Sequence, residues 1–106
     1  MAKYLFQVSY TASGTGGLLK EGGTSRRSMI EQVIKKLGGS VEAFYYAFGD
    51  VEVFVIADLP NDATAAAFSL TVSSRGTVTI KTTPLISPET IDEATKIDVG
   101  YHPAGS

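Results

Sequence analysis

Residues 41–59 read VEAFYYAFGDVEVFVIADL, two alternating apolar runs separated by Gly49-Asp50. Such a pair of runs predicts a β-hairpin with a two-residue turn. Pairing across that turn places Phe48 opposite Val51, Tyr46 opposite Val53 and Phe44 opposite Val55 on one side. The other side then holds Val41, Ala43, Tyr45, Ala47, Glu52, Phe54, Ile56 and Asp58. Both sides are largely apolar, so we expect both faces of this hairpin to be covered, and a slip of one residue would exchange the two sets.

Further strand patterns occur at Tyr4–Tyr10 and Thr77–Leu85, on either side of the hairpin. A helix is predicted between the first and second strands, with Thr24 or Ser25 as its N-cap and Gly38-Gly39 as its end. Its apolar stripe comprises Met29, Ile30, Val33, Ile34 and Leu37. The stretch from Thr11 to Gly17, rich in Gly, Ser and Thr, is expected to form a loop.

A second helix is predicted at 63–74, after Leu59-Pro60-Asn61-Asp62, which ends the strand and offers caps for the helix. A short C-terminal helix begins at Ser87-Pro88-Glu89 and reaches about Ile97. The order βαββαβ predicts a ferredoxin-like α+β fold, with a four-stranded antiparallel sheet and the helices on one face. We expect one domain over residues 1–98 and a mobile tail over 99–106.

The second helix has no charged residue between Ala63 and Ser74, which is unusual for a helix with one side in water. Together with the apolar second face of the sheet, this indicates a homo-oligomer, and we expect two sheets to pack face to face in a dimer. An alternative is that the helix simply exposes Ser, Thr and Ala to solvent.

Composition excludes several classes of function. The 106 residues include 9 Lys and Arg against 11 Asp and Glu, a balance that gives no basic footprint for nucleic acid or anionic lipid. No apolar run is long enough to span a bilayer, and Met1 leads directly into a strand, so we expect a cytoplasmic protein that binds neither nucleic acid nor membrane.

Neither a metal nor a cofactor is expected. The chain has no Cys and a single histidine, His102, too few ligands for a zinc site or a catalytic triad. Gly14-Thr15-Gly16-Gly17 lacks both the dinucleotide fingerprint and the Lys-Ser/Thr of a phosphate-binding loop. Residues 24–27, Thr-Ser-Arg-Arg, form a possible anion seat at a helix start, although such arginines more often pair with surface carboxylates.

The candidate ligand site lies on the sheet face opposite the helices. Gln7, Ser9, Thr79 and Lys81 would share this face with Tyr45, Glu52 and Phe54 if the strand alternation is in phase. The predicted ligand-binding residues are therefore Gln7, Tyr45, Glu52, Phe54 and Lys81, and no catalytic residue is assigned. Glu52 could act as a base if burial raised its pKa; alternatively these side chains only pack in an interface.

The chain resembles the GYD domain family. The resemblance rests on Ala47 to Ile56, flanked by Gly38-Gly39 and Leu59-Pro60, and on the segments at Lys3-Tyr4, Leu18 to Gly23 and Thr83 to Glu89. The sequence departs from the family signature where Val51-Glu52 stands in place of Tyr-Asp. The resemblance implies a subunit of the dimeric α+β barrel group, whose related families include cofactor-independent monooxygenases, stress-responsive proteins and effector-binding domains.

We therefore expect a non-catalytic homo-oligomer that binds a small apolar or aromatic molecule between its subunits. The alternatives are a cofactor-independent monooxygenase- or isomerase-type enzyme, with Glu52 and a tyrosine as acid–base groups, and a detached effector-sensing module.

Overall fold

Four antiparallel strands form one sheet in a computed structural model that describes residues 1–105. The strands are β1 (Ala2–Tyr10), β2 (Ser40–Tyr46), β3 (Val53–Leu59) and β4 (Val78–Leu85), in the spatial order β2-β3-β1-β4. The helices are α1 (Ala12–Glu21), α2 (Gly23–Lys36), α3 (Asp62–Ser74) and α4 (Pro88–Ala94). The predicted ferredoxin-like α+β fold is confirmed. Ser106, the last residue of the predicted tail, lies outside the described residues.

The core lies between α2, α3 and one face of the sheet, called here the inner face. Alternate residues of β1 and β3 point into it, so Tyr4 and Phe6 are almost fully buried. The other buried apolar residues of this cluster are Ile34, Val53, Val55, Ala57, Leu59, Ala65 and Phe68. Phe6 meets Phe68 of α3 edge to face, with ring centroids 5.1 Å apart. Each large side chain buried here stabilises the fold by roughly 1.5–3 kcal/mol.

The register of the β2–β3 hairpin agrees with the prediction at its centre, where Phe44 pairs with Val55 and Tyr46 with Val53. The predicted two-residue turn is wrong, however. Regular pairing stops at Tyr46 and Val53, and a wider turn is closed by the Ala47 N–H, which donates to the Glu52 carbonyl at 2.8 Å.

Val41 lies on the side opposite to the one predicted. A register shift between Val41 and Ala43 interrupts strict alternation, so Val41 pairs with Ala57 and packs against the core. A β-bulge adds one residue to one strand and thereby reverses the facing of everything beyond it. Glu42, the extra residue, is exposed.

The predicted loop over Thr11–Gly17 is instead the start of α1. Thr11 is its N-cap, with the side-chain oxygen accepting from the Gly14 N–H. Gly14 is buried, and a Cβ built there would overlap the carbonyl oxygen of Thr77. The glycine therefore allows α1 to approach the chain that enters β4. The same Thr77 carbonyl accepts a hydrogen bond from the Thr11 N–H at 2.9 Å.

Helix boundaries agree with the sequence signals in most places. Helix α2 begins earlier than predicted, because Gly22, with φ of 82°, turns the chain and no side chain caps the helix. Asn61 caps α3 by accepting from the Thr64 N–H at 2.9 Å, and Ser87 caps α4 in the same way through Thr90. Helix α4 ends at Ala94 rather than near Ile97.

Two glycines of α1 should respond to alanine in opposite directions. Gly14→Ala introduces a methyl group against the Thr77 backbone and should reduce the free energy of unfolding by about 1–3 kcal/mol. At Gly16, where an added Cβ meets no atom within 4 Å, alanine should increase it by roughly 0.5–1 kcal/mol. Urea unfolding monitored by circular dichroism measures both changes. Equal effects at the two positions would contradict the close packing of Gly14.

Candidate functional site

Four of the five predicted ligand-binding residues form one line across the sheet. Tyr45 of β2 pairs with Phe54 of β3, Phe54 pairs with Gln7 of β1, and Gln7 pairs with Lys81 of β4. We call Tyr45, Phe54, Gln7 and Lys81 the transverse row. Paired residues in adjacent strands share a face, so all four side chains project from the face opposite the core, called here the outer face. With strands about 4.8 Å apart, the row extends over about 14 Å.

Glu52, the fifth predicted residue, does not belong to the row. It lies in the turn before β3, and its Oε1 accepts a hydrogen bond from the Tyr10 N–H at 2.9 Å. Its own N–H donates to the Val8 carbonyl, also at 2.9 Å. The residue thus fastens the end of β1 to the turn through both backbone and side chain.

Part of the outer face is apolar. At its centre, Leu5 of β1 pairs with Ile56 of β3, which also pairs with Ala43. Beside them, Phe54 keeps 37% and Tyr45 70% of their surface exposed. Large aromatic side chains left in water next to an apolar patch are typical of a surface that another molecule covers.

An ion cluster closes one end of the outer face. The Lys3 ammonium lies 2.6 Å from a carboxylate oxygen of Glu42 and 3.1 Å from one of Asp58. The hydrogen bond to Glu42, followed by the one to Asp58, raises the pKa of Lys3 above its usual value. This exposed cluster contributes little to stability but marks the polar margin of the apolar centre.

A groove lies beside the ion cluster, between the sheet and the start of α4. It has a volume of about 750 Å³ and is lined by Met1, Ala2, Lys3, Glu42, Ile56, Asp58, Leu85, Ile86, Ser87, Pro88 and Thr90. Sequence reasoning missed this groove, because it depends on where the chain turns after β4. A shallower hollow of about 230 Å³ at the other end includes Gln7, Ser9, Thr79 and Lys81.

On the inner face, a small apolar cavity lies among α2, α3 and the sheet, with a volume of about 40 Å³ and Tyr10 and Arg26 in its wall. A space of this size holds one or two waters rather than an organic ligand. The candidate anion seat at the start of α2 is engaged by carboxylates: Arg26 lies 3.5 Å from Glu21, and Arg27 lies 3.8 Å from Glu31.

Two tyrosines of β1 have raised pKa values. The Tyr4 hydroxyl donates to Asp62 at 2.6 Å, and this bond to a carboxylate, together with burial, raises the pKa of Tyr4 from 10.0 to about 12. Burial first, and then the neighbouring Tyr46, raises the pKa of Tyr10 to about 12. Both side chains point to the inner face and support the core rather than the outer surface.

The raised pKa values of Tyr4 and Tyr10 predict that the folded chain loses stability at alkaline pH. Between pH 10 and pH 12, Tyr4 and Tyr10 stay protonated in the folded chain while the same groups ionise in the unfolded chain, so the unfolded state gains relative stability as pH rises. Phenolate absorbance should show late ionisation, and Tyr4→Phe should reduce both the late absorbance change and the slope of unfolding free energy against pH. Complete ionisation of the native chain near the ordinary pKa would contradict these contacts.

Within residues 1–105 there is no cluster of His, Asp and Glu arranged to hold a metal ion, nor a helix long and apolar enough to cross a membrane. Searches of curated proteins and of solved structures found no significant match. The family model described as GYD domain matches residues 4–95, most of the chain. The chain belongs to the GYD domain family. In this GYD domain, the match includes the whole sheet from Tyr4 onward and, with it, the transverse row.

Proposed function

We propose that this GYD domain is a homodimeric binding protein that holds a small apolar or aromatic molecule between the outer faces of two sheets. The observation that carries the proposal is the transverse row: exposed aromatic side chains on the face of the sheet that helices α2 and α3 leave uncovered. An antiparallel sheet that faces water on one side normally carries polar residues there. Leu5, Ile56 and Phe54 break that rule together.

A second copy is the simplest cover for this face. Two sheets pack about 10 Å apart with their side chains interdigitated, and a two-fold axis would bring the same patch of each copy together. Leu5, Ile56 and Phe54 would then leave water at a gain of about 25 cal/mol for each Å² of apolar surface. The exposed Lys3–Glu42–Asp58 cluster would remain at the rim, where polar groups are usual in interfaces.

The row also supplies the chemistry of a small-molecule site. Tyr45 and Phe54 offer aromatic surface, while the Gln7 amide and the Lys81 ammonium offer hydrogen-bond donors at the other end of the same line. A flat aromatic molecule with one acceptor, such as a carbonyl, phenolate or carboxylate, matches that order. Small-molecule sites commonly combine apolar walls with a few such polar groups.

The geometry favours binding over catalysis. A general base must reach the proton that it removes, directly or through one water. One oxygen of the Glu52 carboxylate instead accepts from the Tyr10 amide at the sheet end, and the residue stands outside the row. The proposed ligand therefore lies over side chains that can orient it.

Substitution at the centre of the outer face should separate the two copies. Phe54→Glu places a charge in the proposed interface and should raise the dimer dissociation constant by at least about 30-fold, as expected for an interface hot spot. Leu70→Glu is the matched control, because Leu70 is also a large exposed apolar side chain, at 71% exposure, but lies on α3. Sedimentation velocity across a dilution series measures both constants.

The proposed dimer predicts that only Phe54→Glu shifts the sedimentation coefficient towards the monomer. Dissociation caused by Leu70→Glu alone would place the interface on helix α3 instead, whose residues 63–74 carry no charge. A wild-type chain that stays monomeric at high micromolar concentration would contradict the proposal altogether.

Native mass spectrometry of protein purified from cells that naturally produce it tests for the ligand. We expect a dimer with additional mass, and Lys81→Met should lose that mass while the dimer remains, since Lys81 is exposed and supplies a donor rather than packing. Thr83→Val, a change on the same face outside the row, is the control and should retain it. A dimer of bare polypeptide mass would show that the outer faces form an interface only.

A further inference from the structure

The segment after β4 exposes an unusual amount of apolar surface. Residues 86–105, called here the C-terminal arm, are exposed at every position. Its large apolar side chains are Ile86, Ile91, Ile97, Val99 and Tyr101, with exposures of 67%, 47%, 67%, 80% and 73%. From Ser87 to Gly100, the arm's hydrogen bonds join atoms within the arm, as in α4 and the turn at Asp98.

The arm also gives the chain an extended shape. The molecule measures 59 × 32 × 22 Å, with a radius of gyration of 17.2 Å. A compact chain of this length would have a radius of gyration of about 13 Å. An arm that is exposed at every position and carries five large apolar side chains is suited to contact another molecule.

The size of the outer face gives a reason for such a contact. Four strands of about eight residues present roughly 26 × 19 Å, or about 500 Å² of sheet. A specific interface of standard size uses about 800 Å² from each partner. The flat area understates the accessible surface of the face, because side chains add relief to it. The sheet alone therefore approaches the lower end of this size class, and the arm has apolar surface to add to it.

The arm begins where the outer face ends. Ile86, Ser87, Pro88 and Thr90 form one wall of the 750 Å³ groove, whose floor contains Lys3, Ile56 and Asp58 of the outer face. A second copy stacked on that face would therefore meet the arm at its base. Because each copy has an arm, a two-fold dimer would make this contact twice.

The net charges of the arm and of the rest of the chain have opposite signs. The arm contains Glu89, Asp92, Glu93, Asp98 and Lys96, four negative charges and one positive, for a net charge of −3. Since the whole chain has a net charge of −2, residues 1–85 carry −2 − (−3), or +1. The net charge of the body thus does not repel the arm of another copy, and Lys81 is an exposed cation on the outer face that the arm's carboxylates can approach.

We infer that the C-terminal arm of each copy docks across the outer face of its partner, extending the sheet-to-sheet interface and forming a wall of the ligand space. The inference rests on the dimer of the proposed function. It assigns Ile97, Val99 and Tyr101 as contacts with the partner, and the space over the transverse row is incomplete without them.

Cross-linking between labelled copies tests this docking directly. The chain has no Cys, so a Val99→Cys variant carries a single thiol, to which a photoreactive cross-linker is attached. Equal amounts of isotope-labelled and unlabelled chain are mixed, irradiated and digested. We expect cross-links that join labelled to unlabelled peptides and fall on outer-face positions of β1, β2 or β3. Ala67→Cys, an exposed position on α3, is the control and should give none of these.

A second measurement uses the intact chain without a probe. The double variant Ile97→Ser, Val99→Ser should raise the dimer dissociation constant about tenfold or more. The control double variant Lys96→Ser, His102→Ser changes polar residues on either side of that pair and should leave the constant within about twofold. A dimer whose cross-links stay within one chain, or that both pairs of changes affect equally, overturns the arm inference and leaves the proposed dimer standing. A monomeric wild-type chain overturns both.

Discussion

The sheet of this GYD domain has two faces, and α2 and α3 cover only one of them. Most other features follow from that constraint. The inner face is satisfied within the chain by Phe6, Phe68 and their neighbours, while the outer face leaves Phe54 and Tyr45 in contact with solvent. Apolar surface on this scale favours association. The transverse row lies on that face, and the groove from which the exposed arm begins adjoins it.

Much of the fold could be predicted from local patterns. Alternation in β1 and β3 and the cap at Asn61 agree with the structure, because side-chain period and capping act over a few residues. The apolar stripe of α2 agrees at Ile30, Val33, Ile34 and Leu37 but not at Met29, which is exposed. The failures depend on longer-range contacts. Gly14 and its neighbours look like a loop until the packing of α1 against Thr77 is known. Val41 faces the core because of a bulge that the alternation of β2 does not reveal.

The same contrast between local patterns and longer-range contacts explains which parts of the candidate site could be predicted. Tyr45 and Phe54 could be placed on one face because strand alternation, counted outward from the β2–β3 turn, is preserved between that turn and the bulge. Gln7 and Lys81 shared that face only on the condition that separate strands are in phase, and the register of β1 with β3 and β4 meets that condition. Glu52 follows the same count, yet it belongs to a turn wider than predicted and binds the Tyr10 amide. The groove could not be predicted, since it arises where α4 passes residues thirty or more positions earlier in the chain.

Hydroxyl-radical footprinting over a range of protein concentrations tests the covering of the outer face most directly. As concentration rises, Tyr45 and Phe54 should become protected together, while Leu70 on α3 should remain as reactive as its exposure of 71% implies. That pattern would place the buried surface on the outer face. Constant reactivity of Tyr45 and Phe54 up to high micromolar concentration would show that this face stays in water and would contradict the account.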